Sequence, residues 1–391
     1  MSALNIVTWN ATTQKKKSAP SNTTTFDFLS IRVGADNLPL AQSGSGGSAQ
    51  WDFGGKVVGN AADPLISTDL ATKNYVDLNA SSLIRITGPA NITGTYNSNV
   101  WVTGTITMTG NTVIKGNLMI AQPGSGTTTV TNSAGYSLEV QGDVYLMGNG
   151  GLTTNINLSG SNGTGSVAAG AGGSLTIQGS VHVNNSADCS IDVRGGSGTN
   201  PSFTTGANGG TVRIAGSVGP LTLLRSSGGD AYGQGSAGTP GNITITGDCY
   251  AAITATGGQG GIPANGATIS ISGNLYGSVN ALGGAGTWVV AGGTGGTVTV
   301  NGNLKTTAAC SLAGGANSTG TAVGGVGGAL MVGGCIFNSA GVTINGGTSA
   351  TTTGGNGGSL TLGGLLTGSG SLTYAGGTGT PNGTSGSVSY I

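Results

Sequence analysis

Over most of the chain, apolar and polar residues alternate in short bursts, and each burst runs through a glycine. The pattern is apolar, any, apolar, any, Gly, any, apolar, as in "LEVQGDV", "LTIQGSV", "VRIAGSV", "ITITGDC", "ISISGNL", "VTVNGNL", "LMVGGCI" and "LTLGGLL". With a weaker first copy, the shared glycines are Gly116, Gly142, Gly179, Gly216, Gly247, Gly273, Gly302, Gly334 and Gly364, on average 31 residues apart with gaps of 26 to 37. The residue two before each glycine is always Ile, Val or Leu, and the residue two after it is aliphatic or, at Cys249, a cysteine. Alternation of period two marks a strand with one face buried and the other wet. Glycine followed in most copies by Asn, Asp or Ser predicts a corner, made by a positive φ or a tight bend.

A further β-prone segment follows in most copies, among them "CSIDV", "ITAT", "VNAL", "CSLA" and "VTIN", and then a Gly-rich loop of variable length. Three strands and one loop per repeat predict one turn of a parallel β-solenoid, each strand pairing with its counterpart ~4.8 Å above. The expected fold class is therefore all-β, an elongated parallel β-solenoid of about 40 Å at that spacing. Runs such as "GGTGG", "GGVGG" and "GGNGG" admit a second geometry, extended glycine helices stacked where no Cβ fits. The apolar doublets favour the solenoid for the body, with the glycine loops free to stack beside it.

One segment breaks the pattern. "GNAADPLISTDLATKNYVDLNA", residues 59 to 80, reads as a helix. Ser67 or Thr68 can cap it, Asp69 suits its N-terminus, and Ala71, Tyr75 and Leu78 fall at i, i+4 and i+7. So short a helix needs a partner for its apolar stripe, either two further copies around an axis or a neighbouring domain. The segment, with its lead-in "WDFGGKVVGNAADPL", resembles a motif of bacteriophage tail fibres and related trimeric fibres, in which a short "D…ATKNYVD" helix follows a "G.V.N….P" stretch. Upstream, "TTTFDFLSIRVGADNLPLA" also looks like fibre N-terminal sequence, and the glycine runs resemble the glycine-rich tip domains of some fibre adhesins.

The resemblance implies a homotrimeric fibre in three parts. Residues 1–58 would attach it to a tail, baseplate or capsid protein, 59–82 would form a helical trimerisation stem, and 83–391 would be the body and distal tip. It also implies residence on a virion and a host partner, either a surface glycan or an outer-membrane protein.

Composition sharpens this. Glycine accounts for 81 of 391 residues and charged residues for only 6%, yet 36% is hydrophobic, so the chain should fold rather than remain disordered. Six of the twelve acidic residues lie before position 80 and none lies beyond Asp248. A net charge of zero gives no footprint for nucleic acid or an anionic membrane. The N-terminus shows no apolar signal region, and no apolar run approaches the length of a membrane span.

Little of the sequence points to catalysis. His182 is the single histidine and should face outward. A polysaccharide depolymerase needs two carboxylates; Asp188 and Asp192 flank one third strand as candidates, with Asp230 and Asp248 elsewhere. Asp248 holds the corner position that Asn274 and Asn303 fill in other copies, so turn chemistry accounts for it. No phosphate loop, calcium-binding nonapeptide or CxxC pair is present, so neither a cofactor nor a metal is expected. Cys189, Cys249, Cys310 and Cys335 read as small unpaired thiols in or beside the core.

Recognition is left to the loops. Phe203, Tyr232 and Trp288 place aromatics among glycines and are the receptor-binding candidates. The alternative for Trp288, beside Val289 and Val290, is a buried contact patch. Three functions follow: a non-catalytic fibre adhesin, a passive fibre or capsid decoration, and a depolymerase tailspike.

Overall fold

A computed structural model describes residues 83–391 apart from short stretches at 122–125, 133, 149–150, 152, 165–166, 200–204, 289, 318–321 and 338–339. Before residue 83 it describes only the backbone of four short strands. The chain divides into Met1–Ser81 and Ser82–Ile391. In the first unit, Ile31–Val33 pairs antiparallel with Asp36–Leu38, and Ala41–Ser43 with Gln50–Asp52. The expected helix, with Ala71, Tyr75 and Leu78, lies outside the described residues.

The second unit is a coil of parallel ladders. The first ladder holds the strands that end just before each corner glycine. It runs from Thr105–Ile114 through Leu138–Val140, Leu175–Ile177, Val212–Ile214, Ile243–Ile245, Thr268–Ile271, Thr297–Val300, Ala329–Val332 and Ser359–Leu362 to Ser387–Tyr390. The second ladder follows the corner. It is built of whole strands from Leu83–Thr87 to Val181–Val183, then narrows to single bridges at Val218, Cys249, Leu275 and Leu304. The third stacks Thr128–Asn132, Thr154–Asn157, Cys189–Asp192, Leu223–Arg225, Ile253–Thr254, Val279–Asn280, Cys310–Ser311, Val342–Thr343 and Leu372–Thr373.

Inside the triangle formed by the ladders lies one continuous core. Every residue two before a corner glycine is at most 1% exposed, from Ile114 to Leu362. Of the residues two after it, Leu366 alone is exposed, at 43%, because no described strand stacks beyond it. Thr112, which stands where the later copies have an aliphatic residue four before the corner glycine, is buried with its hydroxyl donating to the Gly110 carbonyl at 3.2 Å. Each fully buried Ile, Val or Leu contributes roughly 1.5–3 kcal/mol, and every coil supplies several.

Beyond the third ladder the chain leaves the triangle along an outgoing glycine arm, turns, and comes back along a second arm. The glycine runs therefore stack beside the solenoid body. The arms are joined by an unbroken zigzag of backbone hydrogen bonds: Gly284 donates to Ala264, Gly293 to Gly284, Gly315 to Gly293, Gly325 to Gly315, Gly347 to Gly325, Gly355 to Gly347, Gly377 to Gly355 and Gly383 to Gly377, all at 2.7–2.9 Å. The same zigzag continues back through Gly258, Gly238, Gly229 and Ala207 to Gly196 and Gly170. A Cβ on Gly315 would run into the Gly284 carbonyl of the preceding coil, and one on Gly347 into that of Gly315. Glycine is required here because backbones of neighbouring coils touch with no side chain between them.

The corner glycines have a different reason. None is among the positive-φ residues, so the bend itself does not demand glycine. A Cβ on Gly273 would instead collide with the Gly247 backbone and the Asp248 carboxylate of the coil before.

Candidate functional site

Where the two glycine arms meet, the loops project apolar side chains. Tyr232 is 50% exposed, Ile262 52%, Trp288 46% and Val323 45%, each on a successive coil. Single bridges at Gly260, Gly286, Asn317 and Ser349 stack the loops on one another. Asn317, itself buried, donates its Nδ2 to the carbonyls of Trp288 (2.8 Å) and Val290 (2.6 Å), fixing the backbone beneath an outward indole. At the Tyr232 loop, Gly233 takes a left-handed turn at φ +58, and Gly235 donates back to the Tyr232 carbonyl at 3.2 Å. Trp288 and Val290 are thus presented outward within the chain rather than packed into a patch of it. Phe203 lies outside the described residues.

The polar residue after each corner glycine does more than favour a turn. Its side chain accepts the backbone N–H of its counterpart one coil on, in an axial file: Asn99 from Asn117, Asn117 from Asp143, Asp143 from Ser180, Ser180 from Ser217, Ser217 from Asp248, Asp248 from Asn274, Asn274 from Asn303 and Asn303 from Cys335, at 2.7–3.1 Å. The Cys335 sulfur then accepts from the Leu365 N–H at 3.4 Å. Asp248 therefore acts between coils, and the turn explanation from sequence was too local.

The other carboxylates are engaged as well. Asp188 is buried at 6% exposure; it accepts from the Gly151 N–H (3.1 Å) and from Asn185 Nδ2 (2.5 Å), anchoring a 3₁₀ turn at Ser186–Asp188. Asp192 lies outside the third ladder, 3.4 Å from Arg194 Nε and 3.7 Å from Arg225 Nη1. Asp230 accepts the Gln259 N–H at 2.8 Å. Among the described residues no group of three His, Cys, Asp or Glu is placed to hold a metal, and no helix is long and apolar enough to cross a membrane.

A second exposed file escaped the sequence reading. The residue three after the corner glycine points out from the second ladder in most copies, as Met119, Tyr145, His182, Tyr250, Tyr276, Lys305 and Phe337, with the side-chain-free Gly219 between His182 and Tyr250 and Thr367 in the last copy. Tyr145 and His182 stack at 4.7 Å, Tyr250 and Tyr276 at 4.3 Å, and Lys305 Nζ lies within 5.9 Å of both the Tyr276 and Phe337 rings. His182 Nε2 is 3.6 Å from Asp143, and the outward placement expected for it holds. Burial first, then the Asp143 charge, raises the Tyr145 phenol above its ordinary pKa. The faces of these rings are spent largely on each other, bracing the flank where the second ladder narrows to single bridges. The signal was the recurrence of large side chains at a fixed offset from the glycine.

All four cysteines are free, Cys189, Cys249 and Cys310 buried and Cys335 half-buried in the axial file. Burial pushes the Cys249 thiol up to about 12 and the Cys310 thiol to about 11.

No family model, no curated protein and no solved structure matches this chain.

Proposed function

We propose that the protein is a homotrimeric fibre adhesin of a bacteriophage tail or a related particle, binding a host surface glycan or outer-membrane component without catalysis. Residues 1–58 serve attachment, 59–82 form the trimerising stem, and 83–391 present the receptor-binding surface. The supporting observation is the array of outward apolar side chains, Tyr232, Ile262, Trp288 and Val323, carried on successive coils at the edge of the glycine sheet. Exposed apolar residues clustered on loops of a rigid scaffold mark a binding surface. A sheet of backbone hydrogen bonds costs no side-chain ordering and lets loop sequence vary without disturbing the core. The carboxylates being engaged in holding coils together favours binding over hydrolysis.

The test is attachment of the labelled full-length protein to a panel of bacterial strains. The expected result is saturable binding to some strains, lost in a Tyr232→Ala, Trp288→Ala double variant of unchanged circular dichroism. Absence of binding across the panel would favour a passive fibre, and release of reducing ends from envelope polysaccharide would favour a depolymerase.

A further inference from the structure

Of the twelve charged Asp, Glu, Lys and Arg side chains in residues 83–391, four gather on the flank of the outgoing arm: Asp192, Arg194, Arg225 and Asp230. Three of them, Arg194, Arg225 and Asp230, line a groove of ≈ 360 Å³ whose floor is the glycine column Gly195, Gly228 and Gly257, and Asp192 stands behind the two arginines. That size is at the lower end of the range for small-ligand sites. The groove crosses four coils, about 14 Å at ~4.8 Å per coil, and so runs along the coil axis.

One wall is a rung-to-rung chain. Ser197 N–H donates to Asn162 Oδ1 (2.9 Å), Asp230 N–H to Ser197 Oγ (3.1 Å) and Gln259 N–H to Asp230 Oδ1 (2.8 Å). These bonds fix the side chains in place before any ligand arrives, and among the described residues Asp230 Oδ2 accepts no protein donor. Across the floor, Asp192 Oδ2 touches one nitrogen of each guanidinium, Nε of Arg194 and Nη1 of Arg225. The two guanidiniums share one carboxylate, which leaves that wall one charge positive while Asp230 on the other wall brings the groove as a whole to zero, and among the described residues the remaining guanidinium N–H groups have no protein acceptor.

We infer that this groove binds a stretch of acidic saccharide, its carboxylate on Arg194 and Arg225 and its hydroxyls on Asp230 and Gln259. Three features select that chemistry. A planar guanidinium fork matches a carboxylate. The lining is hydroxyl, amide and charge with no apolar pocket, which suits a polyol rather than a peptide side chain. A glycine floor lets a ring lie against backbone, and the axial run suits an extended chain over a compact metabolite. None of the groove-lining residues is one of the outward apolar side chains Tyr232, Ile262, Trp288 and Val323, although Asp230 precedes Tyr232 by two positions, and the inference rests on its own charges rather than on the adhesin reading.

The test is isothermal titration calorimetry of the full-length protein with oligogalacturonate and α2,8-linked oligosialate of three to five units, each paired with its carboxyl-reduced, neutral form. At least one acidic probe should bind, weaken about tenfold or more on carboxyl reduction, and weaken further as salt is raised. R225Q should lose about tenfold or more, one charge-assisted contact at ~1.4 kcal/mol per decade. R213Q, an outward arginine on the first ladder, should bind as wild type. R194Q supplies a second probe of the groove should R225Q fold poorly, and should also weaken binding. No binding of either acidic probe, equal binding of the reduced forms, or wild-type affinity in both R225Q and R194Q overturns the inference. Loss of groove binding with cell attachment intact, or the reverse in the Tyr232/Trp288 variant, separates this site from the loop surface.

Discussion

At the residue scale, the file of Asn, Asp and Ser at the corners carries a specific expectation. Removing an acceptor leaves a partly buried N–H of the next coil unsatisfied, at a cost of about 1–3 kcal/mol. Asp248→Ala should lower the urea midpoint accordingly, because Asp248 Oδ1 serves both the backbone N–H (2.7 Å) and Nδ2 (3.1 Å) of Asn274. Asp248→Asn retains an acceptor and should lose clearly less. The cysteines give a pH test. With the folded thiol of Cys249 raised from the ordinary 9.0 to about 12, and that of Cys310 to about 11, the unfolded chain releases those protons first. Their contribution is fully present below pH 9 and is lost as pH rises through the window from 9 to 11–12. Stability should therefore fall more steeply above pH 9 in wild type than in a Cys249→Ala, Cys310→Ala variant, as read by urea midpoints at stepped pH. At pH 8 in the native state, a thiol reagent should label Cys335 first.

At the scale of elements, the glycine sheet is the part most sensitive to small changes. Gly315→Ala puts a methyl group against the Gly284 carbonyl, with the zigzag bonded on both sides of the residue. Because the obstacle is backbone rather than a movable side chain, the cost should reach about 3 kcal/mol, the top of the usual overpacking range, or exceed it. Gly233→Ala meets nothing within 4 Å and bears only the strain of φ +58, so it should cost about 1 kcal/mol. Comparing the urea midpoints of these two variants separates a requirement for space from one for conformation; equal losses would contradict the described packing. In the apolar ladders the opposite rule applies. Ile271→Ala removes a fully buried side chain stacked between Ile245 and Val300, and should cost about 2–5 kcal/mol.

At the scale of the molecule, the proposed trimer makes a prediction independent of the coil. Light scattering of the intact protein should return about three times the chain mass of 37.4 kDa, and Leu78→Asp should reduce it towards one. The alternation of apolar residues around each glycine was enough to place strands, corner and core face, since a period of two assigns each residue to a side and a repeat near 31 residues returns it to the same column. The loop aromatics Tyr232 and Trp288 were legible for a similar reason, being large side chains where no core position exists. What sequence could not supply was the relation between coils. The axial hydrogen-bond file, the zigzag through Gly284, Gly315 and Gly347, and the pairing of Asp192 with Arg225 each join residues about 30 positions apart. Variable loops shift their spacing, and only the stacking of backbones at one fixed interval decides which of them touch.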